Sequence, residues 1–143
     1  MRASGILMPI SALPSPYGIG TMGLQARQFV DFLHKAGQSY WQILPICPTS
    51  YGDSPYQSFS TYAGNPYFID LDELAAQRLL RPKEYKHIDW QCSPECINYG
   101  VLYQERYAVL HLACERLLAA PPAEYRDFVK QNRFWLPDYA LFM

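Results

Sequence analysis

Apolar positions fall into short continuous runs in the first half of the chain and into helical spacing in the second. Residues 4–8, SGILM, form a short apolar run stopped by Pro9 and predict a first buried strand. Over residues 24–36, Ala26, Phe29, Val30, Leu33 and Ala36 recur at helical spacing. Thr21 or Gly23 is placed to cap that helix and Gly37 to end it. Residues 40–46 are near-continuously apolar and bounded by Pro45 and Pro48, as expected of a buried parallel strand. Strand, helix and strand in that order make a βαβ unit, which implies parallel strands joined by a right-handed crossover. The predicted fold class is therefore α/β.

Two loops leave the same, carboxyl end of those strands, where parallel α/β folds bind ligands. Residues 11–23, SALPSPYGIGTMG, hold three glycines and two prolines around Tyr17, too much punctuation for regular structure. Beyond the second strand, the turn signal Gly52-Asp53-Ser54-Pro55 sits among Tyr51, Tyr56, Phe59, Tyr62, Tyr67 and Phe68, with Gln57, Ser58, Ser60, Thr61 and Asn65 between them. Aromatic rings offer flat faces for the C–H face of a pyranose, and hydroxyls, amides and a carboxylate satisfy its hydroxyls. A phosphate would call for a glycine-rich cradle or clustered cations, yet residues 40–71 contain no Lys or Arg. The same rings also fit a second reading, as core and loop cover.

The second half reads as helices. Residues 70–80 form one, with Asp70 or Asp72 near its start, and a polar stretch over 82–94 reads as loop. Residues 99–120 make a strong amphipathic helix, with Leu102, Ala108, Val109, Leu112, Ala113 and Leu117 on one face and Pro121-Pro122 ending it. A further helix spans 123–132, and WLPDYALFM over 135–143 starts another that stops without a capping glycine.

Composition narrows the chemistry. Hydrophobic residues make up 50% and charged residues only 17%, so the chain folds, and much of its surface is expected to be covered. A net charge of −1 gives no electrostatic case for nucleic acid or an anionic membrane. No segment approaches a membrane-spanning length, and Pro9 interrupts a signal-peptide core, which points to a cytoplasmic protein. Cys47, Cys92, Cys96 and Cys114 show no C-x-x-C pair, so reduced thiols are expected. The spacing of His87, Cys92, Cys96 and His111 fits no standard zinc pattern, and no metal site is expected; His34 reads as a surface helix residue.

Three runs, SGILMPISALPSPYGIGTMG, AGQSYWQILPICPTSYGDSPYQSFSTYAGNPYFIDLDEL and FWLPDYALFM, closely resemble the amino-terminal region of 4-α-glucanotransferases, the amylomaltase or disproportionating-enzyme family. The likeness runs from residue 4 to the last residue and is thin over 81–98. Met8 stands where many members have a histidine, and Arg106 where a lysine is frequent. The resemblance implies a (β/α)8 barrel with inserted helical subdomains, and a retaining transfer of α-1,4-glucan segments to glucose or oligosaccharide acceptors, with no cofactor. The paired carboxylates of that chemistry would come from later barrel strands and do not occur here.

On this reading the chain is an amino-terminal part, inactive alone. Residues 1–71 would carry the first barrel strands, their helix and the substrate loop, and 72–143 a truncated helical subdomain segment. The alternative is a non-catalytic glucan-binding or structural module. By the same resemblance, Ser54 and Tyr56 match residues lining the cleft near the scissile bond. Tyr51 and Tyr103 match tyrosines of a second glucan groove. Gln57 and Tyr17 would neighbour the cleft. Asp53 would either touch sugar or, the preferred reading, hold its own turn through an Asx-type bond. Asp31, Glu105 and Glu115 read as solvated helix faces.

Overall fold

The computed structural model describes residues 2–93 and 95–143. Met1 and Pro94, the latter closing the expected polar loop, lie outside the description. Strand β1 (Gly5–Leu7) pairs parallel to β2 (Tyr40–Gln42) with Gly5 opposite Tyr40, Ile6 opposite Trp41 and Leu7 opposite Gln42. Helix α1 (Leu24–Lys35) makes the crossover, as the 3.6-residue periodicity predicts. Its Phe29 packs edge-on against Trp41, ring centroids 5.0 Å apart, and its Ala26 joins Ile10 and Leu13 in a small core. Trp41 in turn donates its indole N–H to the Met8 carbonyl at 2.8 Å, tying β2 to the exit of β1.

The predicted buried strand over 40–46 is not what forms. Pairing stops at Gln42, and Tyr40, Ile43 and Ile46 are exposed, as is Leu7 in β1. Only Ile6 and Trp41 are half-buried, because α1 covers one face of the pair while the other face and both edges stay open. An apolar run announces burial on two sides; it does not supply the second cover. Pro45, which has no N–H to donate, marks where ladder pairing could not continue.

The helical part is built on caps. Neither predicted cap of α1 bonds through its side chain: Gly23 occupies the position, while Thr21 donates its hydroxyl to Asp70 at 2.5 Å. Asp70 then caps α2 (Leu71–Ala76), accepting from the Glu73 N–H at 3.0 Å, so one carboxylate starts a helix and holds the loop before α1. Arg27 and Glu73 add an ion pair between the same two helices. Helix α2 ends earlier than the pattern over 70–80 suggests, because Arg78 turns left-handed with φ of 63°. The Arg78 N–H then bonds to Ala75 and the Leu79 N–H to Leu74. The same closure ends α1, with Gly37 at φ 68° in the position held here by an arginine.

The polar stretch after Pro82 is structured rather than loose. A 3-10 turn (Pro82–Glu84) delivers Tyr85, fully buried, and Trp90 to the main core beside Tyr17, Ile19, Tyr67, Leu71 and Leu80. Helix α3 (Tyr99–Val101) runs through a π-turn (Leu102–Arg106) into α4 (Tyr107–Ala119), followed by α5 (Ala123–Gln131) and α6 (Leu136–Phe142). The predicted apolar face is narrower in the fold: Leu102, Arg106, Val109 and Ala113 are buried, whereas Ala108 and Leu112 are exposed at its edge.

Two outcomes follow. Gly37 has nothing within 4 Å of where a Cβ would stand, so Gly37→Ala is opposed only by backbone conformation and should cost about 1 kcal/mol in denaturant melts. Arg78→Gly at the equivalent position should act in the opposite direction, a gain of roughly half that after glycine's own entropy cost.

Glu84 supplies the second. It binds both Arg116 guanidinium nitrogens, at 2.7 and 2.6 Å, and accepts from the Arg81 N–H at 2.8 Å. These bonds hold its carboxyl down at about 2. A depressed carboxylate contributes stability above its unfolded value and loses it as pH falls towards the folded one. Thermal melts should therefore show wild type losing stability between about pH 4.5 and pH 2, with Glu84→Gln flatter over that window.

Candidate functional site

Parallel pairing places the exits of β1 and β2 at one end, and both predicted loops start there. The second loop is closed at its base by the Asn65 N–H on the Ile46 carbonyl at 2.8 Å. Asn65 then accepts from the Tyr67 N–H at 3.0 Å, opening a short 3-10 turn (Pro66–Phe68). Near the tip, the Ser50 N–H bonds to the Gln57 carbonyl at 3.2 Å and the Asp53 N–H to the Ser50 carbonyl at 3.0 Å. Gly52 (φ 100°) and Asp53 (φ 57°) supply the left-handed conformations of that reversal.

This closed turn collects Tyr51, Asp53, Ser54, Tyr56 and Gln57. Tyr51 stands fully in solvent, and Tyr56 is 72% exposed. Ser54 Oγ accepts from the Tyr56 N–H at 3.4 Å, and Gln57 serves the turn through its backbone while its side chain is exposed. Two exposed rings, a hydroxyl and an amide on a braced turn form a surface that can stack on and hydrogen-bond to a neutral polyol. No Lys or Arg lies in residues 40–71, which leaves the turn without a charge suited to an anion.

Further along, the loop aromatics serve packing. Tyr62 stacks on Trp135 at 5.7 Å and meets Phe134 edge-on at 5.3 Å, and Phe59 lies 5.7 Å from Phe142. The Trp135 indole is set by its bond to Asn132 at 2.8 Å. Both readings of the aromatic loop therefore have residues: Tyr51 and Tyr56 are free rings, while Phe59 and Tyr62 cover the last helix. Sequence reasoning missed Phe134 and Trp135 as the partners, since nothing local to the loop announces them.

Asp53 does not make the expected Asx-type bond; its turn is held by backbone N–H groups. Its side chain lines an inner cavity of about 40 Å³ with Ser11, Ile19, Leu44, Thr49, Asn65 and Tyr99. Burial there raises its carboxyl above the usual range. Its charge in turn helps raise the phenols of Tyr67, pushed up to about 12 chiefly by burial, and of Tyr99.

Tyr17 lies in the core at 6% exposure, away from any open surface. Its hydroxyl donates to Asp72 at 2.9 Å, and burial first, then that carboxylate, raises its phenol strongly. Tyr85 donates to the same carboxylate at 2.6 Å and is pushed up to about 12. As a cleft neighbour Tyr17 is corrected to a core strut.

Tyr103 is on the π-turn, 69% exposed, and packs edge-on against Tyr107 at 5.8 Å; Tyr107 rests on Tyr67 at 5.5 Å. It belongs to a different element from the turn carrying Tyr51. All four cysteines are free thiols, and the Cys92 sulfur accepts from the Gly18 N–H at 3.2 Å. His87 Nδ1 lies 2.9 Å from the Lys83 carbonyl, and no helix among the described residues is long and apolar enough to cross a membrane.

Comparison with known proteins adds independent findings. The family profile described as 4-alpha-glucanotransferase matches residues 8–143. A 4-alpha-glucanotransferase of Clostridium butyricum is 51% identical over 136 residues, covering 95% of this chain and 28% of the relative. That of Thermus thermophilus is 43% identical over 146 residues, covering 99% and 28%. Among solved structures, an amylomaltase from Streptococcus agalactiae in complex with acarbose superposes with a TM-score of 0.94 at 43% identity, covering all of this chain and 29% of that one. The chain thus spans about 28% of the length of the curated relatives it matches.

Proposed function

The chain belongs to the 4-alpha-glucanotransferase family, and from that premise we propose that it supplies part of the sugar-binding surface for retaining transfer of α-1,4-glucan segments to glucose or oligosaccharide acceptors. In that reaction a carboxylate attacks the anomeric carbon while a carboxylic acid gives its proton to the departing glycosidic oxygen. An acceptor hydroxyl then displaces the carboxylate, and its proton returns to the acid. On this reading both acids lie outside these 143 residues. Residues 1–71 form the opening strands of a (β/α)8 barrel and its substrate loop, and 72–143 a helical subdomain sharing the core at Leu71. The enzyme works on maltooligosaccharides in the cytoplasm.

The observation that carries the reading is the braced turn over 50–57, with Tyr51 and Tyr56 exposed at the carboxyl end of two parallel strands. Tyr56 and Ser54 face the reacting sugars. Tyr51 and Tyr103 hold a glucan chain further out. Gln57 is a lesser contact. The acarbose bound by the structural neighbour is a sugar-like ligand of the same class.

The test is kinetic and uses the full-length protein. Tyr56→Ala should lower kcat/KM for maltotriose about ten-fold, the loss of one ring contact and hydroxyl; unchanged kinetics would remove it from the cleft. Tyr51→Ala and Tyr103→Ala should reduce kcat/KM more for soluble amylose than for maltotriose, by about five-fold in the ratio of the two. Equal losses on both substrates would move these tyrosines to the reacting centre.

These 143 residues expressed alone should form no glucose and no longer oligosaccharides from maltotriose, because paired carboxylates are required. Turnover by material free of host enzyme would instead place the reacting acids among Asp53, Asp70, Asp72 and Glu73.

A further inference from the structure

Arg106 is fully buried, yet Tyr103, three residues before it, is 69% exposed. Leu102, Arg106, Val109 and Ala113 form the buried stripe of this helical stretch, and Tyr103 stands at its edge in solvent. Residues Leu102–Arg106 form a π-turn, closed by bonds five residues apart. Such turns recur at functional sites.

What holds this one open is the guanidinium. Arg106 donates to the Tyr17 carbonyl at 3.2 Å and to the Ile69 carbonyl at 2.6 Å, two segments far apart in sequence, and lies 5.9 Å from the Trp90 ring. Its Nε is buried with no partner among the described residues. A guanidinium's rigid planar fork reaches two separated carbonyls in fixed directions, whereas a lysine's donors all radiate from one nitrogen. The unpartnered Nε is a cost the fold bears to keep the guanidinium at this point. Its presence is better explained by the geometry it imposes.

We propose that Arg106 is a positioning residue for glucan binding: by holding the π-turn against Tyr17 and Ile69, it presents Tyr103 outward as a sugar-stacking ring. This rests on the reading of Tyr103 given above. The ring has rigid support from behind, through Tyr107 and Tyr67. Side chains that stack on sugar gain most when they are held before the sugar arrives.

The test is a double-mutant cycle in the full-length protein, reading the ratio of kcat/KM for soluble amylose to that for maltotriose, with melting temperature alongside. Arg106→Met is expected to lower the ratio about five-fold in wild type and less than about two-fold in a Tyr103→Ala background. Its melting temperature should fall, since the Tyr17 and Ile69 carbonyls lose their donor; a purely structural role would lower the ratio equally in both backgrounds. If Arg106→Met does not fold, Arg106→Lys, which keeps stem and charge but not the fork, carries the same expectation. A normal ratio in the arginine variant, or an equal loss in both backgrounds, overturns the inference while leaving Tyr103 in its groove. A normal ratio in Tyr103→Ala overturns the reading of Tyr103 and this inference with it.

Discussion

A guanidinium with no access to water sits where three stretches of the chain meet. Arg106 bonds the Tyr17 carbonyl in the first loop and the Ile69 carbonyl at the entry to α2, while its own backbone forms the end of the π-turn. Desolvation brings its guanidinium down to about 10, and the nearby Asp70 opposes that shift. The Nε left without a partner costs about 1–3 kcal/mol by ordinary values for a buried donor. Around that constraint the rest falls into order. Tyr17 is fixed with its hydroxyl on Asp72, Trp90 closes over the cation, and Asp70 caps α2 while holding Thr21.

The turn over residues 50–57 gets its rigidity by a different route. It has little apolar packing at its tip, so backbone bonds between Ser50, Asp53, Ser54 and Gln57 define its shape. Asn65 closes the base, and Tyr62 and Phe59 lean on the last helix. A turn braced at both ends keeps Tyr51 and Tyr56 in solvent without letting them collapse onto the core. Stacking surfaces ordered in advance lose less side-chain freedom when a ligand binds. Within the same short stretch Tyr51 and Tyr56 are exposed, while Asp53 lines a small, mainly apolar cavity with Tyr99.

Much of this was legible along the chain. The parallel βαβ unit, α1, α5 and the stop at Gly37 follow from local periodicity and from glycine's access to left-handed backbone, both properties of a few adjacent residues. The Gly-Asp-Ser-Pro turn was legible for the same reason, while whether its tyrosines face solvent or the core was not. Three motif runs carry the resemblance to the family, because motif residues keep their spacing whatever surrounds them.

What only the tertiary structure decided depends on partners far apart in sequence. The run over 40–46 has the composition of a buried strand, but burial requires cover on both faces, and here one face is open. The resemblance set Tyr17 beside the cleft; in the fold it is buried, its place set by Asp72 and Tyr85, more than fifty residues away. The polar stretch after Pro82 carried Tyr85 and Trp90 into the core because their rings had somewhere to go, which no local pattern records. The π-turn is the clearest case. Residues 99–120 satisfy an α-helical pattern throughout, and the extra residue is tolerated because Arg106 finds two carbonyls that only the folded chain brings within reach.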